Sequence, residues 1–193
     1  MEVHILREAG IDEALYGLGL SYGLTSAQGM DTVLYLRDVR NRLMKRAKAL
    51  AKLGDGHNKF LRQMQIWIDI KAPLYWWKQM DQYKVATCTQ SESTMHTLMK
   101  RRLTDADFEG GIMLFTLADL NARIDDGDFD WVNRHLPQSF LQRRVLTCSY
   151  ETVRNILRQR AGHKLKEWDV FCTAMKDLWY YNWIQEEECK STE

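Results

Sequence analysis

The sequence predicts an α+β fold: a single domain in which a small sheet packs with several long helices. Three observations carry that reading. Residues 64–70 alternate apolar and polar side chains with the period of a strand. Residues 31–53 repeat their apolar side chains at helical spacing. The chain has 193 residues, 45% hydrophobic and 27% charged, enough for one compact unit with a substantial core. With 11 Gly and 2 Pro there is little material for long linkers, so residues 1–193 are expected to form one domain.

Taken in order, residues 3–6 read as a short strand and 11–22 as a helix interrupted by Gly17 and Gly19. The helix over 31–53 opens on Asp31 as a cap and closes before Gly54 and Gly56. Its apolar stripe is Val33, Leu34, Leu36, Val39, Leu43, Ala47 and Leu50. In the strand over 64–70, Met64, Ile66, Ile68 and Ile70 share one face, and Gln65, Trp67 and Asp69 the other. Pro73 suits the first position of a helix running to residue 80, where its missing N–H costs nothing. A strand over 84–89 and a helix over 91–100 follow. Thr104, with Asp107 three residues on, caps a further helix. Asp125-Asp126-Gly127-Asp128 is a turn, and 145–149 a strand. Helices over 150–160 and 165–176 are parted by Gly162. Short strands set among longer helices give the α+β class.

Composition narrows the function classes. The formal net charge is +1, so no global field draws the chain to nucleic acid or membrane. The basic run Arg37, Arg40, Arg42, Lys45, Arg46 and Lys48 lies on a helix whose other face is apolar and reads as a solvated face, with nucleic-acid binding as the weaker alternative. No apolar run approaches the roughly 20 residues that span a bilayer. Cys88, Cys148, Cys172 and Cys189 form no CxxC pair and read as isolated thiols of a reducing, cytoplasmic protein. Met1 followed by the strand-like Glu2-Val3-His4-Ile5-Leu6 argues against a targeting peptide. His57, His96, His135 and His163 do not cluster, so no metal is expected. No Gly-rich phosphate loop, Ser-His-Asp order or HExxH motif is present. The aromatic runs Tyr75-Trp76-Trp77 and Trp179-Tyr180-Tyr181-Asn182-Trp183 read first as core or subunit interface, then as a stacking surface for a flavin or base.

Two segments carry a sharper signal. The first runs from Gly56-His57 through the strand 64–70, Lys71-Ala72-Pro73 and Gln79 to about Met95. The second runs from Leu136-Pro137 through Arg143, Thr147 and Asn155 to the Leu157–Ala161 stretch. Ser21, in Leu20-Ser21-Tyr22, lies in an earlier apolar stretch. In order and spacing these pieces resemble the flavin-dependent thymidylate synthases over roughly two thirds of the chain. The departures are as informative. The family's Arg-His-Arg signature falls on Gln82-Tyr83-Lys84, its following Ser on Glu92, the Glu before that Ser on Gln90 and the Arg after it on Thr94; another Arg falls on Asn133, beside Arg134.

The resemblance implies the family's fold and a homo-oligomer, a tetramer, with active sites between subunits. It implies FAD, and for the full reaction NADPH and methylenetetrahydrofolate, with a pyrimidine (deoxyuridylate-like) nucleotide as substrate and a one-carbon unit transferred to its ring. By position, Arg160 is the ring-activating, substrate-binding residue and Gln79 orients the substrate. Lys84 and Arg134 are further substrate contacts, while Ser21, His57 and Asn155 lie at the flavin. Arg143 is either a site residue or structural. A guanidinium near a pyrimidine oxygen stabilises charge developing there. Phosphate, by contrast, needs cations and N–H or O–H donors, and Gln82-Tyr83-Lys84 with Glu92 supplies few; thymidylate synthesis itself is expected to be weak or absent. The alternative is a non-catalytic nucleotide- or partner-binding protein that retains the fold. Residue by residue, plainer readings stay open. Arg160 shares a basic helix with Arg154, Arg158, Lys164 and Lys166, and His57 follows a turn glycine.

Overall fold

In the computed structural model, which describes residues 1–24, 29, 36–53 and 56–185, the alternating segment lies inside a four-stranded antiparallel sheet. Strands β1 (Glu2–Ala9), β2 (Gln65–Pro73), β3 (Thr87–Ser91) and β4 (Leu141–Ser149) are ordered β1-β2-β4-β3. The register pairs Ile66 with Cys148 and Ile68 with Leu146. Ile66, Ile68, Ile70 and Ala72 are buried on one face, and Gln65, Trp67, Asp69 and Lys71 are half-buried on the other. On that second face the Arg143 guanidinium grips the Asp69 carboxylate from the neighbouring strand.

The helices are α1 (Ile11–Leu20), α2 (Arg37–Leu53), α3 (Leu74–Met80), α4 (Thr94–Thr97), α5 (Leu114–Asp125), α6 (Phe129–His135), α7 (Tyr150–Arg160), α8 (Glu167–Ala174) and α9 (Tyr181–Ile184). The buried face of the sheet, α1, α2, α3, α7 and α8 share one core, which includes Ala14, Leu15, Leu43, Ala47, Trp76, Val153, Ile156, Trp168 and Phe171. A second, smaller core forms in the excursion between β3 and β4, around Leu98, Leu103, Phe108, Leu120, Ile124, Val132 and Phe140. There the Asn121 amide bonds the Leu103 backbone twice, accepting from its N–H at 2.7 Å and donating to its carbonyl at 3.0 Å.

Several expectations shift in detail. The helix expected over 11–22 runs unbroken through Gly17 and Gly19 and ends at Leu20; Gly19 lies where a side chain would collide with Leu24. The helix expected from Asp31 is described from Arg37, and Asp31 and Gly54 lie outside the described residues. Pro73 ends β2 with extended ψ and so precedes α3 rather than opening it. Lys84 sits in a loop, since β3 begins only at Thr87. The Thr104–Asp107 capping box does form, but it closes a single 3-10 turn, and Gly110 and Gly111 with positive φ keep the chain irregular up to α5. The helix expected over 165–176 is α8 followed by a 3-10 turn. The helix over 150–160 matches its expected bounds. Among the described residues, no helix is long and apolar enough to cross a membrane, and no group of His, Cys, Asp or Glu side chains could hold a metal ion.

Candidate functional site

α3 and α7 converge at their C-terminal ends, and that meeting point holds a connected polar cluster facing a cavity. Ser149 caps α7 by accepting the Thr152 N–H at 3.2 Å, and Arg160 is the last residue of that helix. Its guanidinium is half-buried and does not trail into solvent. Nε donates to the Tyr83 hydroxyl at 2.8 Å and Nη1 to the Gln79 amide oxygen at 3.2 Å. The same amide oxygen accepts the Trp168 indole N–H at 2.9 Å. The Tyr83 hydroxyl in turn donates to the Gln159 side chain at 3.0 Å. The Arg160 carbon Cζ lies 4.5 Å from the Trp168 ring centre and 5.3 Å from that of Tyr83. Two aromatic faces thus receive a cation that no carboxylate pairs with among the described residues.

Beside this cluster opens a cavity of about 500 Å³, lined by the 82–86 loop and the outer side of α7. Its charged lining residues are Arg62, Lys84 and Arg160 against Glu151. Arg62 and Glu151 neutralise each other in a salt bridge, so Lys84 and Arg160 leave the cavity positive. A smaller cavity of about 210 Å³ adjoins the same loop and shares Tyr83 and Lys84, with Asp81, Thr87 and Thr89 in its wall. Ala86, at the end of the loop, has φ 55° and is the only non-glycine residue with positive φ among the described residues. Such backbone costs energy and is held by its surroundings.

The structure brings some of the sequence candidates together and leaves others apart. Arg160, Lys84 and Asn155 line the large cavity. Gln79 does not; it sits behind Arg160 as a hydrogen-bond acceptor. Arg134 is exposed on α6, 3.7 Å from Asp130 one turn away. Ser21 is exposed at the end of α1, and His57 is exposed in the turn after α2; neither lines this cavity. Arg143 serves the sheet, and its hydrogen bonds to Asp69 hold that carboxyl below its ordinary range. Glu92 accepts the Arg143 backbone N–H at 3.0 Å and is likewise outside the cavity lining. Two residues of the cluster escaped the sequence reading as site members. Tyr83 registered only as a replacement within the Arg-His-Arg stretch, and Trp168 was not singled out at all. The available signal was the pairing of a large aromatic with Arg160 across one short turn.

No model of a protein family matches this chain, and no curated protein matches it in sequence. Solved structures do. The flavin-dependent thymidylate synthase ThyX from Helicobacter pylori, complexed with FAD and dUMP, superposes with a TM-score of 0.71 at 15% identity, covering 92% of this chain and 93% of that one. A UMP/dUMP methylase, PolB from Streptomyces cacaoi bound with 5-Br UMP, superposes with a TM-score of 0.57 at 11% identity, covering 93% and 88%. At such identities it is architecture that is shared: the chain has the α+β fold of the flavin-dependent thymidylate synthases.

Proposed function

We propose that this protein binds a pyrimidine nucleotide in the cavity between the 82–86 loop and α7, with the Arg160 guanidinium toward the base and the Lys84 ammonium toward the phosphate. The observation that carries the reading is the cation held on the Trp168 and Tyr83 rings at the edge of a cavity of about 500 Å³. That volume suits a small organic ligand. Two guanidinium N–H groups are engaged by Gln79 and Tyr83, leaving three of the five that arginine offers for ligand acceptors. A pyrimidine carbonyl is such an acceptor. The fold supports the reading, since the structures it resembles hold dUMP or 5-Br UMP.

FAD is a different matter. Of the residues that the resemblance assigns to it, only Asn155 lines the cavity, while Ser21 and His57 are exposed elsewhere. The described residues of one chain do not fit a flavin. NADPH, methylenetetrahydrofolate and the one-carbon transfer belong to the same unfitted chemistry. A flavin site would require Ser21 and His57 to join from another copy of a homo-oligomer.

The test is calorimetric titration with UMP, dUMP, CMP and AMP, together with a visible absorption spectrum of the purified protein. Binding of the pyrimidine nucleotides in preference to AMP is expected, as is a spectrum without a flavin band. No binding, or equal binding of all four, overturns the nucleotide reading. A flavin band, with production of thymidylate from dUMP, overturns the binding-only reading in favour of the full reaction.

A further inference from the structure

We infer that Trp168 is a positioning residue that aims Arg160 at the ligand, acting through Gln79; the functional consequence rests on the nucleotide-binding reading above. Arg160 ends its helix, and the chain turns away beyond it through Ala161 and Gly162, the latter at φ 67°. Its side chain meets Gln79, Tyr83 and Trp168 from other parts of the chain, and these partners set its direction. Trp168 supplies two constraints at once. Its ring face carries the guanidinium, with Cζ 4.5 Å from the ring centre, and its indole N–H holds the Gln79 amide oxygen at 2.9 Å. Indole and guanidinium are donor-only groups. Only the amide oxygen of Gln79 can therefore face them, which fixes the amide's orientation without reference to any ligand. Trp168 itself is fully buried, held by Trp76 at 4.8 Å and Phe171 at 5.8 Å between ring centres. The chain of support thus runs from the core through the indole to Gln79 and then to Arg160. Gln79 ties the arginine down and does not itself touch the cavity.

Trp168→Phe keeps a ring under the guanidinium and removes the N–H. Gln79→Met keeps side-chain length and removes the acceptor. With ¹⁵N-labelled arginine at low temperature, nuclear magnetic resonance reads the Nη–H groups of Arg160 directly. Arg143, whose Nε–H donates to Asp69 at 2.8 Å in the sheet, provides an internal check on folding. Both variants should speed exchange of the Arg160 Nη1–H, the group that donates to Gln79, by about tenfold, the worth of about one hydrogen bond, while the Arg143 signal stays unchanged. In parallel, UMP affinity should fall about tenfold while ribose 5-phosphate affinity holds, because a purely structural defect would weaken both. An unchanged Arg160 signal in either folded variant overturns the positioning role. If the wild-type protein does not bind UMP, the nucleotide reading fails and the exchange measurement still decides the role of Trp168. If one variant loses the Arg143 signal as well, the other supplies the decision.

Discussion

Arg160 shows what a single side chain makes legible in a sequence and what it hides. Its place at the end of a helix, at a fixed distance after Leu136-Pro137, could be read from the sequence alone. Its partners could not, because Gln79, Tyr83 and Trp168 converge only through the packing of α3 against α7 and α8. That packing supplies the guanidinium with two acceptors from the protein itself, Tyr83 and Gln79. Arg160→Ala should weaken pyrimidine nucleotide binding by roughly ten- to a hundredfold, the range for losing a charge-assisted hydrogen bond. Arg158→Ala, exposed and two positions away on the helix, should change it little; equal losses in the two variants would sink the assignment. Asp107 carries a pH prediction of a different kind. Hydrogen bonds from Arg101 hold its carboxyl down to about 2 from an ordinary 3.8. Because the folded value is the lower one, the stabilisation is fully present above about pH 4 and disappears as pH falls toward 2. Arg101→Met should thus cost about 2 kcal/mol at neutral pH, as an upper bound for a partly exposed pair, and the gap from wild type should close in denaturant melts between pH 4 and 2.

At the level of elements, β2 and α7 were legible because one physical pattern dominated each. Ile66, Ile68 and Ile70 alternate without exception, and Ser149 with Tyr150 marks an abrupt change from strand to helix. The stretch after Thr104 shows the opposite. Its capping box is a local signal that says where a turn starts, not how far the helix runs, and the two glycines that follow decide the length. The β1–α1 junction carries a prediction. Gly10 has φ 90°, and a Cβ there would sit 2.4 Å from the Gln63 carbonyl oxygen. Neither backbone can yield without pulling β1 away from the sheet. Gly10→Ala should cost about 2 kcal/mol or more, visible as a lower denaturation midpoint; a cost below that of an exposed alanine substitution would show that the junction relaxes freely.

For the molecule as a whole, the order of short motifs sufficed to predict the architecture, because a fold tolerates replacement of most side chains. The site was only partly legible, because its residues come from separate elements and, on the oligomeric reading, from separate copies. Exposed apolar side chains fit that reading: Met113, Leu114 and Phe115 stand 76%, 83% and 85% exposed at the start of α5, more than an isolated chain ordinarily leaves in one run. Light scattering at micromolar concentration should report a mass above that of one chain, and a monomer would count against shared sites. The tryptophan cluster has an optical consequence. Trp76 and Trp77 lie 4.9 Å apart at 76°, with Trp168 4.8 Å from Trp76. Chromophores that close, at fixed angles, couple their transitions and give strong near-ultraviolet circular dichroism, whereas Trp179, 74% exposed, contributes little asymmetry. One member of the coupled set touches Arg160, so the protein carries its own spectroscopic gauge. Saturating nucleotide should alter the tryptophan bands, and Trp168→Phe should erase that response while leaving the Trp76–Trp77 couplet in place.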